Sequence, residues 1–250
     1  MNKVFCKKRF LISFILAGYL ILFNTACGLD TFYVIDSPNN NNCHIPEYSK
    51  YDYTPLDNYF EFYTVDHDYD GIKFVGTEVY YKIYKSESVL NTEVEKLCSI
   101  ANDTDTSYNS ASKLIETYKY QTLLAKDHPE KDILLPRSGS NQKVYIRLSN
   151  YQDIYFAQIK VDNDNIYGDT NVVIPVRNIL NNPSFNFAEL TQDLLPAENT
   201  DNPDYNYSGS PTKEGYYFVA MFAVGVGQDI TYSRLYSTII YLGSVAIPTE

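Results

Sequence analysis

Acidic side chains at alternate positions are the first feature of this 250-residue chain that could do chemistry. Asp66, Asp68 and Asp70, followed by Gly71, place carboxylates two residues apart ahead of a glycine at the sixth position. That spacing matches the start of a calcium loop, where hard oxygen ligands converge around a tight turn. The closing bidentate glutamate should fall at the twelfth position. Thr77 stands there and Glu78 comes one later, between flanks that read as strands. The competing reading is an Asx-rich hairpin turn, in which short polar side chains bond the local backbone. Asp162 to Asn165, with Gly168 and Asp169, form a second acidic turn with the same two readings.

Catalysis finds little to work with. His44, His67 and His128 all fall in polar, loop-like stretches, and none makes an HExxH pair. A G-x-S-x-G elbow and a phosphate-cradling glycine loop are both missing from the sequence. Ser138 and Ser140 flank Gly139, a pattern that reads as a turn. The cysteines show no CxxC spacing, so zinc is not indicated. The expectation is a chain with no catalytic residues and no cofactor beyond the calcium candidate.

The elements that must carry these residues are strands. The chain has 25 Tyr, 13 Phe and no Trp, a bias toward pleated, half-buried surfaces. Residues 58–65 and 74–84 read as strands. In the second, Val79, Tyr81 and Ile83 share one face while Glu78, Tyr80, Lys82 and Tyr84 share the other. Residues 86–140 break the pattern. Thr92 and Glu95 make a capping box, and Val94, Leu97, Cys98 and Ala101 follow helical spacing, as do Ala111, Leu114, Ile115 and Tyr118. Two short helices are expected there as an insertion. Strands return over 143–149, 154–161 and 172–176, and the last two are 216–226 and 232–245. Ahead of those two, 191–215 reads as a long exposed loop with Pro196, Pro203 and Pro211. Tyr80, Tyr81, Tyr84, Tyr151 and Tyr155 either pack within sheets or turn outward as a contact surface for sugars or a partner.

The N-terminus has its own grammar. Lys3, Lys7, Lys8 and Arg9 precede an apolar run from Phe10 to Phe23. Those residues would span about 21 Å as a helix, short for a bilayer core of roughly 30 Å. A basic start, a short apolar run and small residues at its exit make a secretory signal over 1–26. Thr25 and Ala26 lead directly into Cys27 and Gly28. This resembles the lipobox of bacterial lipoproteins, with Asn24 where Leu, Val or Ile is usual and Phe23 one place earlier, as in the loosened boxes of spirochaete-type lipoproteins. The resemblance implies that Cys27 takes the lipid and becomes the first residue of a mature chain. Palmitate and related acyl chains would then hold it to a membrane of the bacterial cell envelope, on the periplasmic face or at the cell surface. Two acyl chains give stable attachment, since each buried methylene contributes about 0.8 kcal/mol.

Removing the four basic residues ahead of Cys27 moves the formal net charge from −11 to −15. A chain this acidic repels phosphate backbones, which argues against a nucleic-acid partner. In an oxidising compartment the remaining pair, Cys43 and Cys98, suggests a disulfide, with a buried thiol at Cys98 as the alternative. Residues 27–57, with Asn39 to Asn42, Pro46 and Pro55, read as lipidated N-terminus and spacer, within which 29–36 is either a first strand or part of the stalk, and 58–250 as the folded domain.

Tyr217, Val219, Met221, Ala223, Gly225 and Gly227, then Tyr232 and Ser233, are similar to the penultimate strand and following turn of fibronectin type III-like domains. Glu78 to Lys82 is similar to their middle strand. The resemblance implies an antiparallel β-sandwich of immunoglobulin/fibronectin III type, carrying a two-helix insertion at about 86–140. A Phe or Tyr near 60–63 would replace the buried Trp usual in such domains. The expected function is a non-catalytic structural or binding module on a membrane surface, contacting an envelope or host protein or a glycan. The alternative is a solute- or carbohydrate-binding, or hydrolytic, lipoprotein with its site near the helical insertion.

Overall fold

The computed structural model describes residues 34–47, 57–69, 71–151, 154–196 and 202–249. The signal segment and Cys27 lie outside the described residues. The fold is mainly β, with antiparallel sheets and two helical stretches. Its strands are β1 (Phe60–Tyr63), β2 (Ile72–Tyr84), β3 (Gln121–Thr122), β4 (Leu124–Ala125), β5 (Leu135–Pro136), β6 (Lys143–Arg147) and β7 (Gln158–Val161). They continue as β8 (Asp164–Asn165), β9 (Pro175–Val176), β10 (Tyr205–Asn206), β11 (Tyr216–Asp229), β12 (Arg234–Tyr236) and β13 (Ile240–Pro248).

The axis of the fold is the long antiparallel pair β2 and β11, paired from Tyr84 opposite Phe218 to Ile72 opposite Asp229 with a register shift between Val226 and Gly227. On its far edge β11 pairs β13 and then β12. The outer edge of β2 is covered piecewise by β10, which runs parallel to it, and by β3 and β5. A smaller antiparallel sheet has the order β1, β6, β7, β8. A third pairing joins β4 to β9.

Alternation explains how these sheets meet. Val79, Tyr81 and Ile83 of β2, with Val219 and Met221 of β11, enter one core with Phe60, Phe62, Val144, Ile146 and Ile159 of the smaller sheet. Phe60 and Phe62 are fully buried in this core. Each such side chain contributes about 1.5–3 kcal/mol when withdrawn from water.

Tyr80 and Tyr84 point the other way, into a second core with Leu90, Val94 and Leu97. Those three residues sit on α1 (Glu87–Asn102), whose apolar positions recur at helical spacing. The helix starts five residues before the capping box that the sequence offered. Thr92 lies mid-helix and its hydroxyl donates to the Ser88 carbonyl at 2.8 Å. The first-turn amide of Glu87 instead donates to Thr212 Oγ1 at 2.8 Å. A second helical stretch covers Ser107–Asn109, Ser110–Ser112 and Lys113–Thr117, and buries Ala111 and Leu114 in the same core.

Two expectations about loops change. Residues 34–47, assigned to the spacer, are part of the fold. Asn39 exchanges backbone hydrogen bonds with Tyr63 of β1, and the Glu61 amide donates to His44 O. On the other sheet, Ser37 Oγ donates to Thr238 O at 2.8 Å and Asn40 Nδ2 to Tyr241 O at 2.9 Å. The Ser244 amide donates to Pro46 O. This arm therefore links the edges of both sheets. The 191–215 stretch, read as exposed loop, supplies β10 and the fully buried Asp204.

Candidate functional site

Asp66 and Asp68 converge, but on a guanidinium. Arg137 Nε lies 2.8 Å from Asp66 Oδ1, and Arg137 pairs with both oxygens of Asp68, Nη2 at 2.8 Å from Oδ2. The second oxygen of Asp66 accepts from the backbone amides of Ser138 at 3.0 Å and Gly139 at 2.6 Å. The Arg137 hydrogen bond holds the Asp68 carboxyl below its ordinary value. Arg137 thus stands between two of the proposed calcium ligands, Asp66 and Asp68, as an ion-pair clasp. Asp70, the third, lies outside the described residues. Among the described residues no group of three or more His, Cys, Asp or Glu is placed to hold a metal ion.

The second acidic turn is a hairpin. Asp162 and Asn163 form the two-residue loop between β7 and β8, with φ of 50° and 71°. That is the left-handed pair required by a turn matching strand twist, and Asp and Asn tolerate it. Asp162 Oδ1 also accepts from the Lys143 amide at 2.9 Å, tying the turn to the start of β6.

Between this hairpin and the end of the helical insertion lies a cleft of about 420 Å³, lined among others by Pro136, Ser138, Gln142, Asp164 and Tyr167. Tyr167, one of its walls, holds a φ of 62°. The Tyr167 hydroxyl donates to Leu134 O at 2.7 Å, and its ring meets His128 edge-on at 4.7 Å. Burial pushes the Tyr167 phenol well above its ordinary value, so it serves as a donor rather than a base. His128 Nε2 is 2.9 Å from Asp169 Oδ2, and Ser138 Oγ donates to Ser140 O at 2.9 Å. Ser138 and His128 are thus each engaged with other partners, Ser140 and Asp169, and not with one another.

The tyrosines divide in a way that their spacing does not disclose. Tyr80, Tyr81 and Tyr84, offered as outward rings, are buried on the two faces of β2. The Tyr80 hydroxyl donates to Glu78 Oε2 at 2.5 Å, and Arg234 Nη1 lies 2.9 Å from Glu78 Oε1. Lys82 Nζ reaches Glu93 Oε2 at 3.0 Å and Tyr118 O at 2.7 Å, while Tyr84 Oη donates to the same glutamate at 2.8 Å. The signal was present in Lys82, which alternates with core residues and is met by Glu93 of α1. Tyr145, Tyr151, Tyr155 and Tyr59 instead surround buried Arg147, their ring centres 5.1–5.9 Å from its guanidinium carbon. That spacing places the charge on four π faces.

Cys43 and Cys98 are both free thiols, which corrects the expected disulfide. Cys43 sits on the arm beside Glu61 and Lys143 of the smaller sheet. Cys98 packs against the helical core on the opposite face of the larger sheet. With a sheet between them, the two sulfurs belong to separate layers.

Comparison with family models, curated proteins and solved structures gives no match. Among the described residues no helix is long and apolar enough to cross a membrane.

Proposed function

We propose that the chain is a lipid-anchored protein of the bacterial cell envelope whose domain acts as a non-catalytic structural or binding module. The observation that carries this reading is the closeness of the lipobox-like Cys27 to the fold. Ile35, eight positions after Cys27, is already packed in a domain with filled cores on both faces of its main sheet. The pairings of β1 with β6, and of β2 with β11 and β11 with β13, support an immunoglobulin/fibronectin III-like sandwich as the finer description. In that reading the helices are an insertion lying over one sheet. Its partners are the membrane, through the acyl chains, and an envelope or host protein or glycan at the exposed loops.

Labelled palmitate tests the anchor. The wild type takes up label and fractionates with membrane, and Cys27→Ser loses both. A Cys27→Ser variant that keeps label and membrane association would sink the proposal. A second reading, solute or carbohydrate binding, draws on the cleft beside Tyr167, where the helical insertion ends. Saturable binding of a sugar or amino acid, abolished by Asp164→Ala, would favour it.

A further inference from the structure

Val34, Ile230 and Tyr232 are strongly exposed apolar side chains, at 71%, 81% and 83%. The sheet brings all three to one end. β2 begins at Ile72 opposite Asp229, where β11 ends, and Ile230 and Tyr232 occupy the turn that follows. At the same end Ile35 packs with Ile72 and Phe74, and its Cδ1 is 2.8 Å from where a Cβ on Gly227 would stand. The Asp36 amide donates to the Tyr69 hydroxyl at 2.7 Å, and Tyr69 bridges to Ile72. Val34 therefore enters the fold beside the turn.

The turn is fixed from within. Asp229 Oδ1 accepts from the amides of Thr231 at 2.8 Å and Ser233 at 2.9 Å, and from the Thr231 hydroxyl at 2.7 Å. Tyr232 holds a φ of 63°, a left-handed value rare for an aromatic residue. Neither Ile230 nor Tyr232 joins any of the apolar cores.

We propose that this end of the sheet, bearing Val34, Ile230 and Tyr232, docks on the surface of the lipid bilayer and sets the orientation of the domain. The inference rests on acylation of Cys27. Seven residue steps separate Cys27 from Val34, a reach of at most about 25 Å. The tether thus keeps this end near the membrane at a high effective concentration, so a small apolar contact suffices. Tyrosine is suited to the headgroup level, where its ring is buried and its hydroxyl stays wet. The formal charge of −15 on the chain from Cys27 onward opposes an anionic surface, so the fitting surface is zwitterionic. The opposite end of β2, marked by Tyr207 after the Asn206–Tyr84 pair, lies about 40 Å away along the strand.

The absence of tryptophan makes the test direct. Ile230→Trp and Tyr207→Trp each install a single indole reporter at an exposed position, in the full-length lipidated protein. Each is reconstituted into phosphatidylcholine vesicles with or without bromine on the acyl chains. The expected result is blue-shifted emission from the Ile230→Trp protein, quenched at least twofold by brominated lipid, with emission from the Tyr207→Trp protein unaffected. Vesicle-bound protein in which neither reporter is quenched would overturn the docking and leave the anchor standing. Chains that lack the acyl mass and stay off vesicles would overturn both. A concentration-dependent blue shift of the Ile230→Trp reporter without vesicles, in a Cys27→Ser background, would assign the tip to a second copy and likewise overturn the docking.

Discussion

Arg177 and Asp204 form an ion pair withdrawn wholly from solvent, with Nε 2.8 Å from Oδ2 and Nη2 3.0 Å from Oδ1. Tyr81 Oη donates to the same carboxylate at 2.8 Å, and Arg177 Nη1 donates to Leu194 O at 2.6 Å. One residue comes from after β9 and the other from the turn before β10, so the pair pins the 191–215 stretch against β2.

Asp204→Ala leaves the guanidinium buried without its counter-charge. It is expected to destabilise the domain by about 3–5 kcal/mol, whereas Arg177→Met with Asp204→Leu should cost less than either single change. Urea unfolding of the four proteins checks this. Additive losses in the double variant would count against the coupling.

Glu78 gives a pH dependence with a definite sign. Desolvation raises its carboxyl above the ordinary 4.5, more than the Tyr80 bond and the Arg234 charge lower it. The folded state then holds the proton more tightly than the unfolded one. Its contribution is complete below pH 4.5 and is lost as pH rises through the raised folded value. The stability of wild type minus that of Glu78→Gln should therefore fall as pH rises above 4.5. Parallel urea titrations at half-unit intervals measure it, and a difference that climbs with pH would refute the assignment.

Gly225 receives the arm at close range, since a Cβ there would lie 2.8 Å from the Asp36 carbonyl oxygen. Gly225→Ala should cost about 1–3 kcal/mol through that overlap. Its local signature is faster proteolysis within residues 34–47, while cleavage elsewhere changes little. Limited proteolysis with mass mapping reads the sites, and an arm no more susceptible than in the wild type would contradict the packing.

Free thiols at Cys43 and Cys98 make a simple forecast. Burial raises both above the ordinary thiol value, Cys98 through burial alone and Cys43 with help from Glu61. Non-reducing mass mapping should find two alkylatable sulfurs, and Cys43→Ala should shift stability by no more than about 0.5 kcal/mol. A Cys43–Cys98 peptide pair would overturn it.

Local pattern carried much of the architecture. The alternation of Val79, Tyr81 and Ile83 marked the face of β2 that meets Phe60 and Phe62, and helical spacing picked out Val94 and Leu97. Long-range events were not legible. Tyr80 and Tyr84 read as rings that could meet solvent because their cover, α1, packs on them only in three dimensions. Arg137 lies too far along the chain from Asp66 for spacing to pair them. Two-residue strands such as β10 leave no periodicity to detect. Cys43 and Cys98 matched by count, and counting is blind to the sheet between them.

The stitched arm has a mechanical consequence. A pull on the N-terminus loads Ile35 and the Asp36–Tyr69 bond first, then the Ser37 and Asn39 contacts, then Asn40 and Pro46. The bonds would open in succession, as a zipper does, leaving the long β2–β11 ladder unloaded until the arm has been stripped. Residues 34–47 are in effect a strain-relief coupling, giving up reach under tension before the body of the domain yields.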